Sequence, residues 1–223
     1  MSLLEELRGG LIVSVQAEPA SLLNAPATIA LLARVAVANG ARGVRIEGLE
    51  RIAAVRAAVE VPIVGLIKRV RPGFEPYISA TLEEVRAIAA AGADIVAFDA
   101  TLRSRADGSS PADLAAGVRA AGRLAMADCS TEGEMLAAAG VADVLATTLA
   151  GYTPETRGRA LPALDLVAAV WGRHRFVACE GGIATPEHAR AAFGAGASAI
   201  VVGTAITNLD ALVRRFAGAL QAS

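Results

Sequence analysis

Aromatic residues are scarce in this chain of 223 residues: Phe, Tyr and Trp together make up 4%. Its apolar residues are dominated by Ala, Val, Leu and Gly, which are small or branched and let helices lie close against a sheet. Hydrophobic residues still reach 54%, so the chain can bury a sizeable core without disulfides or metals. Cysteines number two, Cys129 and Cys179, far apart and outside any CxxC or Cys/His cluster. They are expected to be small buried hydrophobes in a reducing compartment. Histidines also number two, His174 and His188, both in segments of helical pattern away from strand ends. That leaves a histidine-built metal site or triad with little support, and neither metal nor cofactor is expected.

An excess of one charge is missing too. The net charge is −1 and the charges are scattered, with no basic run or aromatic-basic stripe. Nucleic acid is therefore not an expected partner, and any anion site must be local. Long apolar runs are absent as well: Arg, Asp or Glu interrupts each stretch before it reaches the roughly 18 residues of a membrane span. The opening MSLLEELRGG carries acids early and has no signal-peptide core, so a cytoplasmic location is expected.

What is present is a repeat. Ala/Arg-rich helical runs end in Gly and pass into short β-branched runs: NGARGVRIE at 39–47, AGADIVAFD at 91–99, AGVADVLATT at 139–148 and AGASAIVVG at 195–203. Gly40, Gly92, Gly140 and Gly196 fall where the residue after a helix takes positive φ. Helix starts are marked by Thr81…Glu84 and Thr131…Glu134, which read as capping boxes, and by Ser110-Pro111 and Thr185-Pro186. Eight cycles follow. Strands are predicted near 11–16, 43–47, 63–68, 94–99, 124–128, 143–148, 176–180 and 199–203. Helices are predicted near 26–39, 49–59, 81–91, 111–121, 131–139, 161–172, 186–194 and 208–220. Strict alternation implies a parallel sheet, and eight units favour a single-domain (β/α)₈ TIM barrel over 1–223, of the phosphate-binding kind. A dinucleotide fold is disfavoured because no GxGxxG follows the first strand.

In such a barrel the chemistry sits at the C-terminal ends of the strands. The polar residues at those ends are Gln16, Arg45 with Glu47, Lys68, Asp99, Asp128, Thr147-Thr148, Glu180 and Gly203-Thr204. Alternation along a strand puts Arg45, Glu47, Lys68 and Glu180 toward the mouth, and Val44, Ile46 and Cys179 outward. One charged strand end is often a solvated edge. Lys68 in VGLIKR, Asp128 in LAMADCST and Glu180 in VACEGG, converging on one mouth, are what is expected of an active site. Gly181 and Gly182 after strand 7, and Gly203 and Thr204 after strand 8, lead into helix N-termini, the usual phosphate grip of this fold. Segments 69–80, with Arg69, Arg71 and Tyr77, and 149–160, with Tyr152, Arg157 and Arg159, are candidate covers over the mouth.

These segments resemble the N-acetylmannosamine-6-phosphate 2-epimerase family. The likeness is carried, in order, by GLIVSVQA (10–17), GVRIEG (43–48), VGLIKR (64–69), PYISAT (76–81), IVAFDAT (95–101), MADCST (126–131), TTLAGYT (147–153), CEGG (179–182) and VVGTAIT (201–207). It implies that Lys68 removes the C2 proton of an open-chain amino-sugar phosphate and that Glu180 returns one. It also implies that Gln16, Arg45 and Asp128 hold the sugar and that the backbone around Gly182, Gly203 and Thr204 takes the phosphate. The family pattern often has arginines where this chain has Gly182 and Asn208; Arg69 or Arg71 are the candidates to compensate.

Epimerisation beside a carbonyl needs only two acid–base groups flanking the carbon, with neither metal nor redox cofactor. Lys68 must be neutral, although lysine ordinarily titrates near about 10.4, and Glu180 must be protonated. Two other readings compete: a Schiff-base-forming sugar-phosphate lyase built on Lys68, and a non-catalytic phosphosugar-binding barrel. Small barrels often bury a helix face, so a homodimer is allowed, but no residue pattern names an interface.

Overall fold

A computed structural model describes residues 2–221; Met1, Ala222 and Ser223, the ends of the expected domain, lie outside the described residues. Eight parallel strands close into a barrel in sequence order. They are β1 (Leu11–Val15), β2 (Gly43–Glu47), β3 (Ile63–Leu66), β4 (Ile95–Asp99), β5 (Leu124–Asp128), β6 (Val144–Ala146), β7 (Val177–Glu180) and β8 (Ala199–Val202). The helices are α1 (Leu3–Leu7), α2 (Pro26–Ala38), α3 (Leu49–Arg56), α4 (Leu82–Ala90), α5 (Pro111–Ala120), α6 (Glu132–Ala138), α7 (Leu164–Val170), α8 (Pro186–Gly194), α9 (Thr204–Thr207) and α10 (Leu209–Gln221). No helix among the described residues is long and apolar enough to cross a membrane.

Local chemistry explains most of these boundaries. Thr131 and Ser110 form capping boxes with Glu134 and Asp113, and Thr185 accepts from the His188 N–H. At α4 the box is displaced: Thr81 accepts from the Glu84 N–H, but the Glu84 carboxylate reaches the Ala80 N–H instead. Gly40, Gly92 and Gly196 take φ of +99°, +104° and +104°. Gly140 does not take positive φ, which corrects the expectation for that position. There α6 ends earlier, and Val141 and Ala142 donate back to the Ala138 carbonyl. Strands 1, 3, 4, 6, 7 and 8 are also shorter than expected. Lys68 leaves β3 and pairs antiparallel with Ile78, because the 67–79 segment folds back on itself.

Two cores result. One lies between strands and helices and includes Val44, Ile46, Phe98 and Cys179. Gly65 shows how close that approach is: a Cβ there would stand 2.6 Å from Ala93 and 2.7 Å from Ile88. The second fills the barrel with Ile12, Val64, Leu66, Ile95, Met126, Ala178 and Val201. Leu4 and Leu7 of α1, a helix the sequence pattern did not predict, join this inner core. Barrel closure leaves the inward residues above these apolar layers facing one another.

Candidate active site

Arg45 is the centre of the site. Its side chain is 1% exposed and spans the barrel from β2 to the tips of β5 and β7. Nη1 and Nη2 donate to Asp128 Oδ1 and Oδ2 at 3.2 and 2.6 Å, a two-pronged pair. Nη1 also lies 3.2 Å from Glu180 Oε2. Asp128 has no exposed surface. Thr148, just beyond β6, places Oγ1 2.8 Å from Asp128 Oδ1 and 3.0 Å from Glu180 Oε2. Strands 3 and 7 stand four positions apart in a ring of eight, so Lys68 and Glu180 rise on opposite sides of the mouth.

Lys68 reaches solvent through that mouth, and its backbone N–H donates to Glu47 Oε1 at 3.3 Å. Glu47, expected to face the mouth, also takes Arg51 as an ion-pair partner and so serves to hold the Lys68 backbone. Partial burial, and then the charge of Arg45, pull Lys68 below its ordinary pKa; Glu180, Glu47 and Asp128 oppose this without outweighing it. Burial, and then Asp128 as a like charge, hold Glu180 above the usual carboxylate range against the opposing pull of Arg45. Burial also works against the charge on Arg45, but Asp128 and Glu180 outweigh it and keep the guanidinium firmly charged.

The remaining expected residues divide. Gln16, one residue past β1, donates to Ser14 Oγ at 2.8 Å, while its buried Oε1 accepts nothing from the protein. Ser14 is an inward polar residue that sequence reasoning passed over, although its position between Ile12 and Gln16 on the inner face marks it. Gly181 and Gly182 take φ of +99° and +70°, and Gly203-Thr204 opens α9. Arginine is excluded at 182 by this backbone: a Cβ would sit 2.3 Å from Leu161 Cβ. Asn208 is an N-cap, accepting from the Ala211 N–H at 2.9 Å. Arg69 and Arg71 both pair with Glu84 of α4, beside β3 and across the barrel from the glycines, so they do not replace the missing arginines. Asp99 sits apart, held by Thr101, Arg103 and Arg105. Tyr77 packs half-buried against the inner core, with its pKa raised by burial and then by Asp128 and Asp99.

The expectations about histidine are corrected. His188 does not lie away from the strand ends: from the first turn of α8 its Nδ1 accepts from the Ala184 N–H at 3.3 Å and bolsters the loop leaving β7. His174, expected on a helix, lies instead in the turn between α7 and β7, where it accepts from the Phe176 N–H near the other end of the barrel. Among the described residues no group of three or more His, Cys, Asp or Glu is placed to hold a metal.

A closed barrel with a lysine and a glutamate opposed across its mouth, the lysine held below and the glutamate above its ordinary pKa, defines an acid–base enzyme of the (β/α)₈ class. Comparison with known proteins narrows the class. The family described as “Putative N-acetylmannosamine-6-phosphate epimerase” matches residues 29–222. The chain is 46% identical over 224 residues to a relative from Synechococcus elongatus, covering 98% of this chain and 97% of the relative. It is 41% identical over 224 residues to one from Cutibacterium acnes, covering 98% and 97%. Both carry the corresponding 2-epimerase name. The solved N-acetylmannosamine-6-phosphate 2-epimerase from Clostridium perfringens superposes with a TM-score of 0.93 at 34% identity, covering 98% of this chain and 96% of that one. The chain belongs to the N-acetylmannosamine-6-phosphate epimerase family.

Proposed function

We infer that the protein interconverts N-acetylmannosamine 6-phosphate and N-acetylglucosamine 6-phosphate by removing and returning a proton at C2, the activity of an N-acylglucosamine-6-phosphate 2-epimerase. The observation that carries the reaction is the opposition of Lys68 and Glu180 across one mouth, since inversion needs a proton taken from one face and given to the other. Opening of the sugar ring exposes an aldehyde that acidifies the C2 proton. Neutral Lys68 takes that proton, leaving an enolate-like intermediate, and protonated Glu180 delivers its own proton to the opposite face. In the reverse direction the two exchange roles. Each such group typically contributes about 10²–10⁴-fold.

The other residues hold this pair in register. Asp128, without exposed surface, acts through Arg45 rather than by touching substrate, and Arg45 in turn sets the potential felt by Lys68 and Glu180. The unpartnered Gln16 Oε1 suits an N–H or hydroxyl of the sugar. The N–H groups around Gly181, Gly182, Gly203 and Thr204 would take the phosphate, a grip made by backbone dipoles in the absence of the two family arginines. Two unpaired buried cysteines suit a reducing compartment, and the enzyme is assigned to the cytoplasm.

Proton NMR with N-acetylmannosamine 6-phosphate in D₂O tests this. The C2 proton signal should vanish as the gluco epimer appears. Cleavage together with borohydride trapping on Lys68 would mark a Schiff-base lyase instead, and an unchanged spectrum a barrel that only binds. The pH profile of kcat/KM should be bell-shaped. Below the acid limb both groups hold protons and no base is present; above the basic limb both have lost them and no acid is present. The acid limb should lie above an ordinary glutamate value and the basic limb below an ordinary lysine value. A monotonic profile would contradict the pairing.

The same enzyme is inferred to be a homodimer in which α10 of each copy covers the other. The last helix of a (β/α)₈ barrel normally packs over the first and last strands. Here α10 has no buried residue, and its stripe of Leu209, Val213 and Phe216 at helical spacing is exposed, Phe216 to 69%. Its polar side is held to the loop after β1 by Arg214–Glu18 and Ser21–Asp210. The face it leaves uncovered is an apolar groove of ≈ 460 Å³ lined by Leu11, Ile200, Val202, Ala189 and Phe193. A missing helix and a helix without a seat match in chemistry and place. Sedimentation should give twice the 22.6 kDa chain mass. Phe216→Glu should weaken the dimer at least about tenfold, since burying one such side chain is worth about 1.5–3 kcal/mol. A wild-type monomer at micromolar concentration would rule out the arrangement. So would a disulfide between cysteines placed at Phe193 and Val213 that forms within single chains.

A further inference from the structure

We propose that Thr148 is a positioning residue whose one hydroxyl proton changes partner each time Glu180 gives up or regains its own. This rests on the reading of Lys68 and Glu180 given above. Thr148 Oγ1 is within hydrogen-bond range of two carboxylates, 2.8 Å from Asp128 Oδ1 and 3.0 Å from Glu180 Oε2. A hydroxyl has one proton and donates one hydrogen bond. Both short contacts are satisfied together only when a second proton sits on one of the carboxyls.

The geometry assigns that proton to Glu180. Asp128 accepts two N–H groups from Arg45, at 2.6 and 3.2 Å, which favour its charged form. Glu180 has only the single 3.2 Å approach of Nη1, already shared with Asp128. Burial and the neighbouring Asp128 charge also favour the neutral form of Glu180. In the resting arrangement Glu180 donates to Thr148 Oγ1, and Thr148 donates to Asp128 Oδ1. To protonate C2 the Glu180 O–H first turns from Thr148 toward the carbon, and as the proton leaves, the Thr148 O–H turns about the Cβ–Oγ1 bond and donates to the new carboxylate. Asp128 stays held by Arg45. No heavy atom moves, and the proton count of the pair changes only by the one delivered. Because the hydroxyl accepts from the acid and donates to the carboxylate, it serves both directions of a reversible reaction.

The sequence marks this position only as a polar residue after β6; that it spans two carboxylates 20 and 32 residues away is decided by barrel closure. The test separates the two faces of C2. In D₂O, the epimer that presents its C2 proton to Lys68 exchanges it without needing Glu180, whereas formation of the other epimer needs both groups. Thr148→Val and Thr148→Ala should keep that exchange within about threefold of wild type. They should form the other epimer about 10–100-fold more slowly, the rate equivalent of one hydrogen bond to a charged group. Thr148→Ser should restore it. Epimer formation at the wild-type rate in the hydroxyl-free variants would overturn the proposal. So would equal loss of exchange and epimer formation without rescue by serine, which is the mark of a merely structural residue. Glu180→Gln in the same assay distinguishes the levels. If it still epimerises, the reading of Glu180 itself fails; if it is blocked while Thr148→Val is not, only the role of Thr148 fails.

Discussion

Lys68→Ala should lose about 10²–10⁴-fold in kcat and should also lose deuterium exchange at C2 in the epimer whose proton faces residue 68. Lys68 lies two residues past β3, is exposed to solvent and belongs to neither core, so its removal leaves both cores intact and the melting temperature close to wild type. A loss of rate in a folded barrel then reports chemistry. The partner change separates the two faces: Glu180→Gln keeps exchange on the lysine side and blocks inversion. NMR in D₂O reads both signals in one tube. Near-normal turnover by Lys68→Ala would remove the central base, and abolition of all exchange by Glu180→Gln would mean that one group does not act alone on its own face.

The second large effect is on stability. Asp128→Ala should destabilise the fold by up to about 3–5 kcal/mol, because it removes the nearer, two-pronged partner of a guanidinium that burial already disfavours. For a chain of this size that corresponds to a fall in melting temperature of roughly 6–20 °C. Arg45 would be left with Glu180 as its carboxylate partner. Glu180 would lose its like-charged neighbour and its pKa should fall, which moves the acid limb of the activity profile to lower pH. The fraction of enzyme with a protonated Glu180 at neutral pH should fall with it. Replacing the pair together, as Arg45→Met with Asp128→Leu, should cost little stability or even raise it, while abolishing turnover. Urea unfolding of the single and double variants checks this. A double variant as unstable as the single would mean that the ion pair itself, not its breaking, carries the stability.

Much of the barrel could be read along the chain because its signals are local. Glycine after a helix, a hydroxyl before one, and a short β-branched run between them each act within a few residues and mark most of the eight cycles, although α2, α3 and α7 start without a hydroxyl cap. Where a neighbour in space replaces the local signal, the reading slipped. Gly140 needs no positive φ, because Val141 and Ala142 turn back onto Ala138. Lys68 is not the last residue of a strand, because Ile78 pairs with it. Leu4 and Leu7 stand in a segment without the repeat's strand and cap signals, and their role appears once they meet the barrel interior.

The candidate site divides on the same line. The sequence by itself determined which polar residues cap which strands, since alternation and strand length depend on neighbours one and two residues apart. It therefore placed Lys68, Asp128 and Glu180 at one rim. Only the tertiary structure decided what those residues do to one another. The Arg45–Asp128 pair joins positions 83 residues apart, and Thr148 joins two carboxylates on different strands. Direction of titration is of this kind too: whether Lys68 is lowered depends on how burial and Arg45 balance three carboxylates, a sum over distances that no spacing in sequence encodes. Closure of the ring supplies those distances, because only a sheet joined edge to edge turns eight separate strand tips to face a common centre.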